Sequence, residues 1–265
     1  MEPNIEVCKT IAVQHGLPLQ FVVKEFRVFD VLAKIVAATA GRKDFVFKGG
    51  TALSKVYLGG VQRFSEDLDF DLEAQGIAQV KKFCRMLAKE MEGCTVGEMR
   101  KVRGTVQFYC VFENGLGGKD NVRVDVAQKK VMHAKPLEIR PAVSSYAQIS
   151  VSGFCVYSLE DLVARKMNAL CERCEGKDIY DVHNAIGLCG KMRGALEKML
   201  ASEGSRDTPG RFLRKTIEAV EKADAKKIRN VTNPFIPSAN RPKDWLALKN
   251  DLVLRLERLL KEVEG

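Results

Sequence analysis

FVFKGGTALSKVYLGGVQRFSEDLDFD, residues 45–71, has the pattern of a strand, a glycine turn, a short helix and a second, acidic strand. Its first residues are aromatic and β-branched, the composition of a short strand. Gly49-Gly50 then lets the backbone turn tightly into a helix predicted to start near Thr51. A second strand is predicted over residues 63–72 and carries Asp67, Asp69 and Asp71 at alternate positions. Side chains two apart on a strand share a face, so these carboxylates gather together while Leu68, Phe70 and Leu72 face the other way. Like charges so close repel, and the spacing points to a cation among them. A calcium site or a solvated acidic strand end would use the same pattern, and both stay open at this point.

Working outward, the apolar spacing of residues 17–40 fits an amphipathic helix ending before Gly41, read as packing. Residues 77–91 have the pattern of a second covering helix. Strands are predicted over 105–113 and 121–128, joined as a hairpin through Gly115, Gly117 and Gly118. In the second of these, Val122, Val124 and Val126 share one face and Arg123 and Asp125 the other, which makes Asp125 a candidate third carboxylate from a neighbouring strand. One more strand is predicted over 149–157. Ser158-Leu159-Glu160-Asp161 then has the form of a capping box opening a helix. Lys166 lies on the apolar stripe of that helix with Leu159, Leu162 and Leu170. Either it snorkels to solvent at the edge of the interface or it crosses toward the carboxylates to meet a phosphate. Gly176 is expected to end the helix, and Asp178 to cap the next one as its N-cap. A last helix is predicted over 243–263. The expected organisation is an α/β catalytic domain over 1–157 and a helical C-terminal domain over 158–265.

The formal charge of +9 attracts polyanions but by itself distinguishes RNA binding from a merely solvated basic surface no better than evenly. Apolar segments are interrupted by charges, so neither a membrane span nor an export signal is read, and a cytoplasmic protein with reduced cysteines and no structural disulfide is expected. Cys171 and Cys174 lack a second cysteine pair for a structural zinc site, and the three histidines are scattered. The glycine turn and the aspartates agree with each other instead. A helix N-terminus reached through glycines seats phosphate, and carboxylates from adjacent strands hold the magnesium ions that two-metal phosphoryl transfer uses.

Lys48-Gly49-Gly50-Thr51-Ala52-Leu53-Ser54-Lys55 followed by Arg63-Phe64-Ser65-Glu66-Asp67-Leu68-Asp69 resembles the polymerase-β-like nucleotidyltransferase superfamily, specifically the AbiEii/AbiGii-type toxins of type IV toxin–antitoxin and abortive-infection systems. The segments around Asp161–Lys166 and Lys177–Asp181 resemble that family's later motifs, so the likeness covers roughly 45–185. Thr51 stands where the wider superfamily commonly has Ser, with the hydroxyl retained. The resemblance implies a mixed sheet with flanking helices and a C-terminal helical domain, the nucleotide lying between the two. It implies that Gly49, Gly50, Thr51 and Lys55 hold nucleotide phosphates, that Asp67, Asp69 and Asp125 bind Mg2+ or Mn2+, that Lys166 contacts the triphosphate or transferred group, and that Asp178 sits near the site as a polar or base-like residue. It further implies a nucleoside triphosphate substrate, an RNA or tRNA acceptor, and a cognate antitoxin. Transfer to a small-molecule or protein hydroxyl, or nucleotide or RNA binding without catalysis, are the alternatives weighed against it; buried acids are costly to keep for binding alone.

Overall fold

The computed structural model describes residues 3–265. Helices α1 (Ile5–His15) and α2 (Leu19–Thr39) lead into strand β1 (Phe45–Lys48). A four-residue helix α3 (Gly49–Ala52) continues directly into a π-helical turn over Leu53–Tyr57, and a 3-10 turn over Gly59–Val61 brings the chain back to β2 (Asp67–Leu72). Helix α4 (Ile77–Lys89) follows, then β3 (Thr95–Val96), β4 (Arg100–Val102), β5 (Thr105–Glu113), β6 (Lys119–Gln128), β7 (Glu138–Ile139), the small hairpin β8 (Ala142–Ser144) and β9 (Ile149–Val151), and β10 (Cys155–Val156).

The main sheet runs β3-β5-β6-β2-β1-β10-β7, with β4 paired to β5. It is mixed: β2 is antiparallel to β1 and parallel to β6, and β5 and β6 form the long antiparallel hairpin. The architecture is therefore the mixed α/β sheet with flanking helices that the sequence reading expected. Apolar alternation on β2 explains its central place, because Leu68 and Phe70 are buried. Phe70 stacks on Phe45 with ring centroids 4.4 Å apart, and Phe83 of α4 meets Phe45 edge-on at 4.9 Å. On α2, Val28, Val31, Leu32 and Ile35 are buried, and so are Lys24, Glu25 and Arg27, so this helix does more than pack.

The chain divides into two compact units. The first holds the chain up to Val131, Glu138–Val156 and Pro237–Ala239; the second holds Met132–Leu137, Tyr157–Ile236 and Asn240–Gly265. Each thus takes a short segment from across the single boundary that the sequence suggested. The second unit consists of α5 (Leu159–Arg173), α6 (Gly176–Ile186), α7 (Arg193–Ser202), α8 (Pro209–Lys222), α9 (Ala225–Thr232) and α10 (Trp245–Glu264). Ser158 caps α5 by accepting from the Asp161 N–H, and the Asp161 carboxylate accepts from the backbone of Ala134 and Lys135, which ties residues 132–137 into this unit.

Several local expectations are corrected. The strand predicted over 63–72 begins only at Asp67, and that over 149–157 splits into β9 and β10. Helix α5 ends at Cys174, whose φ is 47°, and Gly176 opens α6 instead of closing α5. The reason is packing: a Cβ on Gly176 would come within 2.1 Å of Thr232 Oγ1. The N-cap position of α6 belongs to Glu175, with Asp178 inside the first turn. Helix α1, not read from sequence, is capped by Asn4 and packs Cys8 and Ala12 against Val22 and Tyr146. No helix among the described residues is long and apolar enough to cross a membrane, and Cys8, Cys84, Cys94, Cys110, Cys155, Cys171, Cys174 and Cys189 are free thiols.

Phe70 sits at the centre of the aromatic stack with about 1% of its surface exposed. Phe70→Ala is expected to lower stability by about 3–5 kcal/mol in urea denaturation, the range for emptying a well-packed aromatic site.

Candidate active site

Strand register assembles the acidic cluster. Asp69 of β2 lies opposite Asp125 of β6 and opposite Lys48 of β1, while Asp67 lies opposite Arg123. In a sheet with strands about 4.8 Å apart, paired residues of neighbouring strands have side chains on one face, so Asp67, Asp69, Arg123 and Asp125 all project together. The glycine turn closes on this cluster. Gly49 has φ of 80°, and a Cβ placed there would stand 2.2 Å from Asp69 Oδ2. Only glycine permits the backbone at the start of α3 to lie against the Asp69 carboxylate. The expected phosphate seat and the expected cation ligands are therefore contiguous.

Cations stand among the acids. Arg123 donates to Asp67 through Nη2, and its Nε lies 3.4 Å from Asp125 Oδ2. Gln107 Nε2 donates to the same Asp125 oxygen at 3.2 Å, whereas Asp125 Oδ1 is buried and accepts no hydrogen bond. Asp71, the remaining acid on the strand, is fully buried and ion-paired with Lys48, so it anchors that lysine. At the rim, Lys24 of α2 bridges Glu66 and Asp120, each at 3.1 Å. Burial pushes the Asp67 carboxyl up to about 6, with Asp69 and Glu66 adding to the push and Arg123 opposing it. Burial likewise raises Asp125 against the pull of Arg123 and Gln107.

Two residues expected at the phosphates are committed elsewhere. Thr51 donates its hydroxyl proton to the Asp67 carbonyl, so Ser65 must donate to Thr51 across their 2.8 Å contact. That pair pins the start of β2 to α3. Lys55 is buried: its ammonium pairs with Glu25 of α2 and donates to Tyr146 Oη at 3.1 Å. Its expected phosphate contact is corrected to an internal ion pair, because the π-helical turn directs it into the protein. Burial pulls the Lys55 pKa down, with Glu25 acting in the opposite sense.

Lys166 and Asp178 lie in the helical unit. The Lys166 ammonium sits between Asp178 Oδ1 at 2.7 Å and Asp181 Oδ2 at 2.9 Å, with only 8% of its side chain exposed. It neither snorkels to solvent nor stands uncompensated. Arg173 grips Asp178 with two further hydrogen bonds of 2.9 and 3.1 Å. Burial opposes ionisation of Asp178, but Arg173 and Lys166 outweigh it and hold the carboxyl at about 2. In the same unit, Arg173, Lys177, Lys222, Lys227, Glu175 and Asp224 line a groove of about 670 Å³ with a basic excess.

The donor chemistry of Asp67, Asp69 and Asp125 fits a hard divalent cation: oxygen ligands only, on adjacent strands, with one buried oxygen left unsatisfied. Among the described residues, however, no three acid, His or Cys side chains already converge on one point, and Arg123 stands between Asp67 and Asp125. Sequence reading had placed Arg123 on the carboxylate face without assigning it a partner. Lys48 and Glu25 were missed, and only their positions within the glycine motif and the amphipathic helix signalled them.

The fold is thus a mixed sheet carrying acids on two central strands beside a glycine turn. The chain matches the family described as Nucleotidyl transferase AbiEii toxin, Type IV TA system, over residues 30–259, and it belongs to that family of nucleotidyltransferase toxins. No curated protein matches. Among solved structures, the chain is similar to MenT4, a nucleotidyltransferase toxin from Mycobacterium tuberculosis, with a TM-score of 0.61 at 18% identity over 96% of this chain and 89% of that one. It is also similar to an H. pylori protein assigned as a nucleotidyltransferase, with a TM-score of 0.55 at 16% identity over 90% of this chain and 96% of that one. These two likenesses concern the fold. Family membership implies a nucleoside triphosphate substrate and an antitoxin partner.

The ion pairs of Asp178 give a pH signature. Because its folded carboxyl lies below the ordinary 3.8, its stabilisation is complete well above that value and is lost as pH falls through about 2. Asp178→Asn is expected to cost about 2 kcal/mol in urea denaturation at pH 7, with the difference from wild type shrinking between pH 5 and pH 3.

Proposed function

We propose that this chain is a divalent-cation-dependent nucleotidyltransferase that transfers a nucleotide from a nucleoside triphosphate to an RNA acceptor, tRNA in particular. The observation that carries this reading is the contact of the Gly49 backbone with Asp69, itself in register with Asp125. It supports a reading in which phosphate donors and cation ligands stand side by side. In this reading the N–H groups at Gly49, Gly50 and Thr51 bind and orient the triphosphate. Asp67, Asp69 and Asp125 hold the cation, which when bound neutralises charge on the transferred phosphoryl group and activates the attacking hydroxyl. Asp71 and Lys48 hold the strand pair beneath them, and the Thr51–Ser65 link keeps the turn and β2 in step.

The acceptor assignment is supported by the net charge of +9 and by the basic groove of the helical unit. Lys166 and Asp178 are assigned no chemical step, since each is buried and already charge-compensated by the other and by Asp181 and Arg173. The test is incorporation of each labelled nucleoside triphosphate into total tRNA. Asp67→Asn and Asp69→Asn are expected to lower it roughly a hundredfold or more, the scale on which losing one charge-stabilising group acts. Expression should arrest growth, and the same substitutions should relieve the arrest. Incorporation unaffected by both substitutions would overturn the assignment.

A further inference from the structure

We propose that Arg123 is a resident counter-cation of the carboxylate site, which a divalent cation must displace in order to bind. The inference rests on the reading of Asp67, Asp69 and Asp125 as cation ligands. Its starting point is strand geometry. Arg123 lies opposite Asp67 in the parallel pairing of β2 and β6 and two residues before Asp125, so its stem leaves the sheet on the carboxylate face. The guanidinium then contacts both acids, through Nη2 on Asp67 and through Nε at 3.4 Å from Asp125 Oδ2. It lies where a cation shared by these carboxylates would have to come.

Two further observations separate displacement from a permanent structural tie. Asp125 Oδ1 is buried without a hydrogen bond; Gln107 Nε2 donates to its partner oxygen, and Arg123 Nε, likewise buried without a hydrogen bond, stands 3.4 Å from that oxygen. A buried carboxylate oxygen left unsatisfied is costly, and a cation bound on that side would satisfy it. The exposures also differ between the two basic residues of the cluster. Lys48 pairs with an acid that has no exposed surface, whereas Arg123 and Asp67 are 36% and 32% exposed. A partly exposed ion pair is weak, so the Arg123–Asp67 contact is the one that a competing cation can break. A divalent cation brings twice the charge to the same carboxylates in a more compact form. The cluster therefore has one cation built in to stay, Lys48, and one placed to leave.

The test is Mn2+ binding to the full chain, followed by the electron paramagnetic resonance signal of free Mn2+. Arg123→Gln is expected to tighten binding roughly tenfold, the scale of a partly buried charged hydrogen bond removed from competition. Arg123→Lys, which keeps a charge but loses the fork, should fall between the two. Unchanged or weaker binding by a folded Arg123→Gln protein would overturn the displacement while leaving the cation site standing, provided Asp69→Asn still abolishes binding. Absence of Mn2+ binding in every variant would overturn both. If Arg123→Gln does not fold, the assigned Arg123 Nε–H resonance of the wild-type protein decides. It is expected to shift during a Mg2+ titration, and a resonance that stays in place while Mg2+ competes with Mn2+ would overturn the proposal.

Discussion

Four carboxylates on two adjacent strands cannot share one region of a protein surface unless positive charge stands among them. That repulsion is the constraint on which the first unit depends. Asp67, Asp69, Asp71 and Asp125 crowd around the β2–β6 pairing, and two basic side chains from the neighbouring strand positions divide the work of holding them. Lys48 neutralises the buried Asp71, and Arg123 spans Asp67 and Asp125. Unpaired charges at such burial would shift to their neutral forms. Burial, with Asp69 and Glu66, raises the Asp67 carboxyl to about 6 against the pull of Arg123.

The surrounding fold serves to hold this arrangement in place. The aromatic stack of Phe45, Phe70 and Phe83 fixes β1 against β2 from the apolar side. The buried pairing of Lys55 with Glu25, and its hydrogen bond to Tyr146, fixes the helix after the glycine turn from below. Such a buried pair adds little net stability relative to apolar residues, but removing one partner is expensive. It therefore locks the turn in a single position. In the helical unit, Lys166, Asp178, Asp181 and Arg173 make a second closed charge cluster by the same logic.

Much of the site was legible because strand alternation is local. The period of two placed Asp67 and Asp69 on one face and set Arg123 and Asp125 together. What each charge touches was not legible, because contacts follow from register between strands more than fifty residues apart. Arg123 was visible as a residue on the carboxylate face, yet its contact with Asp67 depends on the parallel pairing of β2 with β6. Lys55 was read from its motif as a phosphate ligand, but the π-helical turn that buries it leaves no mark in residue type. Gly176 was read as a helix end, since glycine is common there. Its actual cause, the approach of Thr232 from a later helix, is a long-range packing fact. Helix α1 was passed over because its apolar residues do not repeat strongly, although Asn4 was a usable cap signal.

On the proposed reading, Asp67, Asp69 and Asp125 hold a cation beside a phosphate seated on the glycine turn. A crystal structure of the protein with Mn2+ and a non-hydrolysable nucleoside triphosphate tests it most directly, since the anomalous signal of Mn2+ locates the ion without reference to any assumed site. The account predicts an Mn2+ peak coordinated by Asp67, Asp69 and Asp125, with nucleotide phosphates on the Gly49–Thr51 backbone. A metal or nucleotide bound elsewhere, with the Arg123 contacts to Asp67 and Asp125 intact, would contradict it.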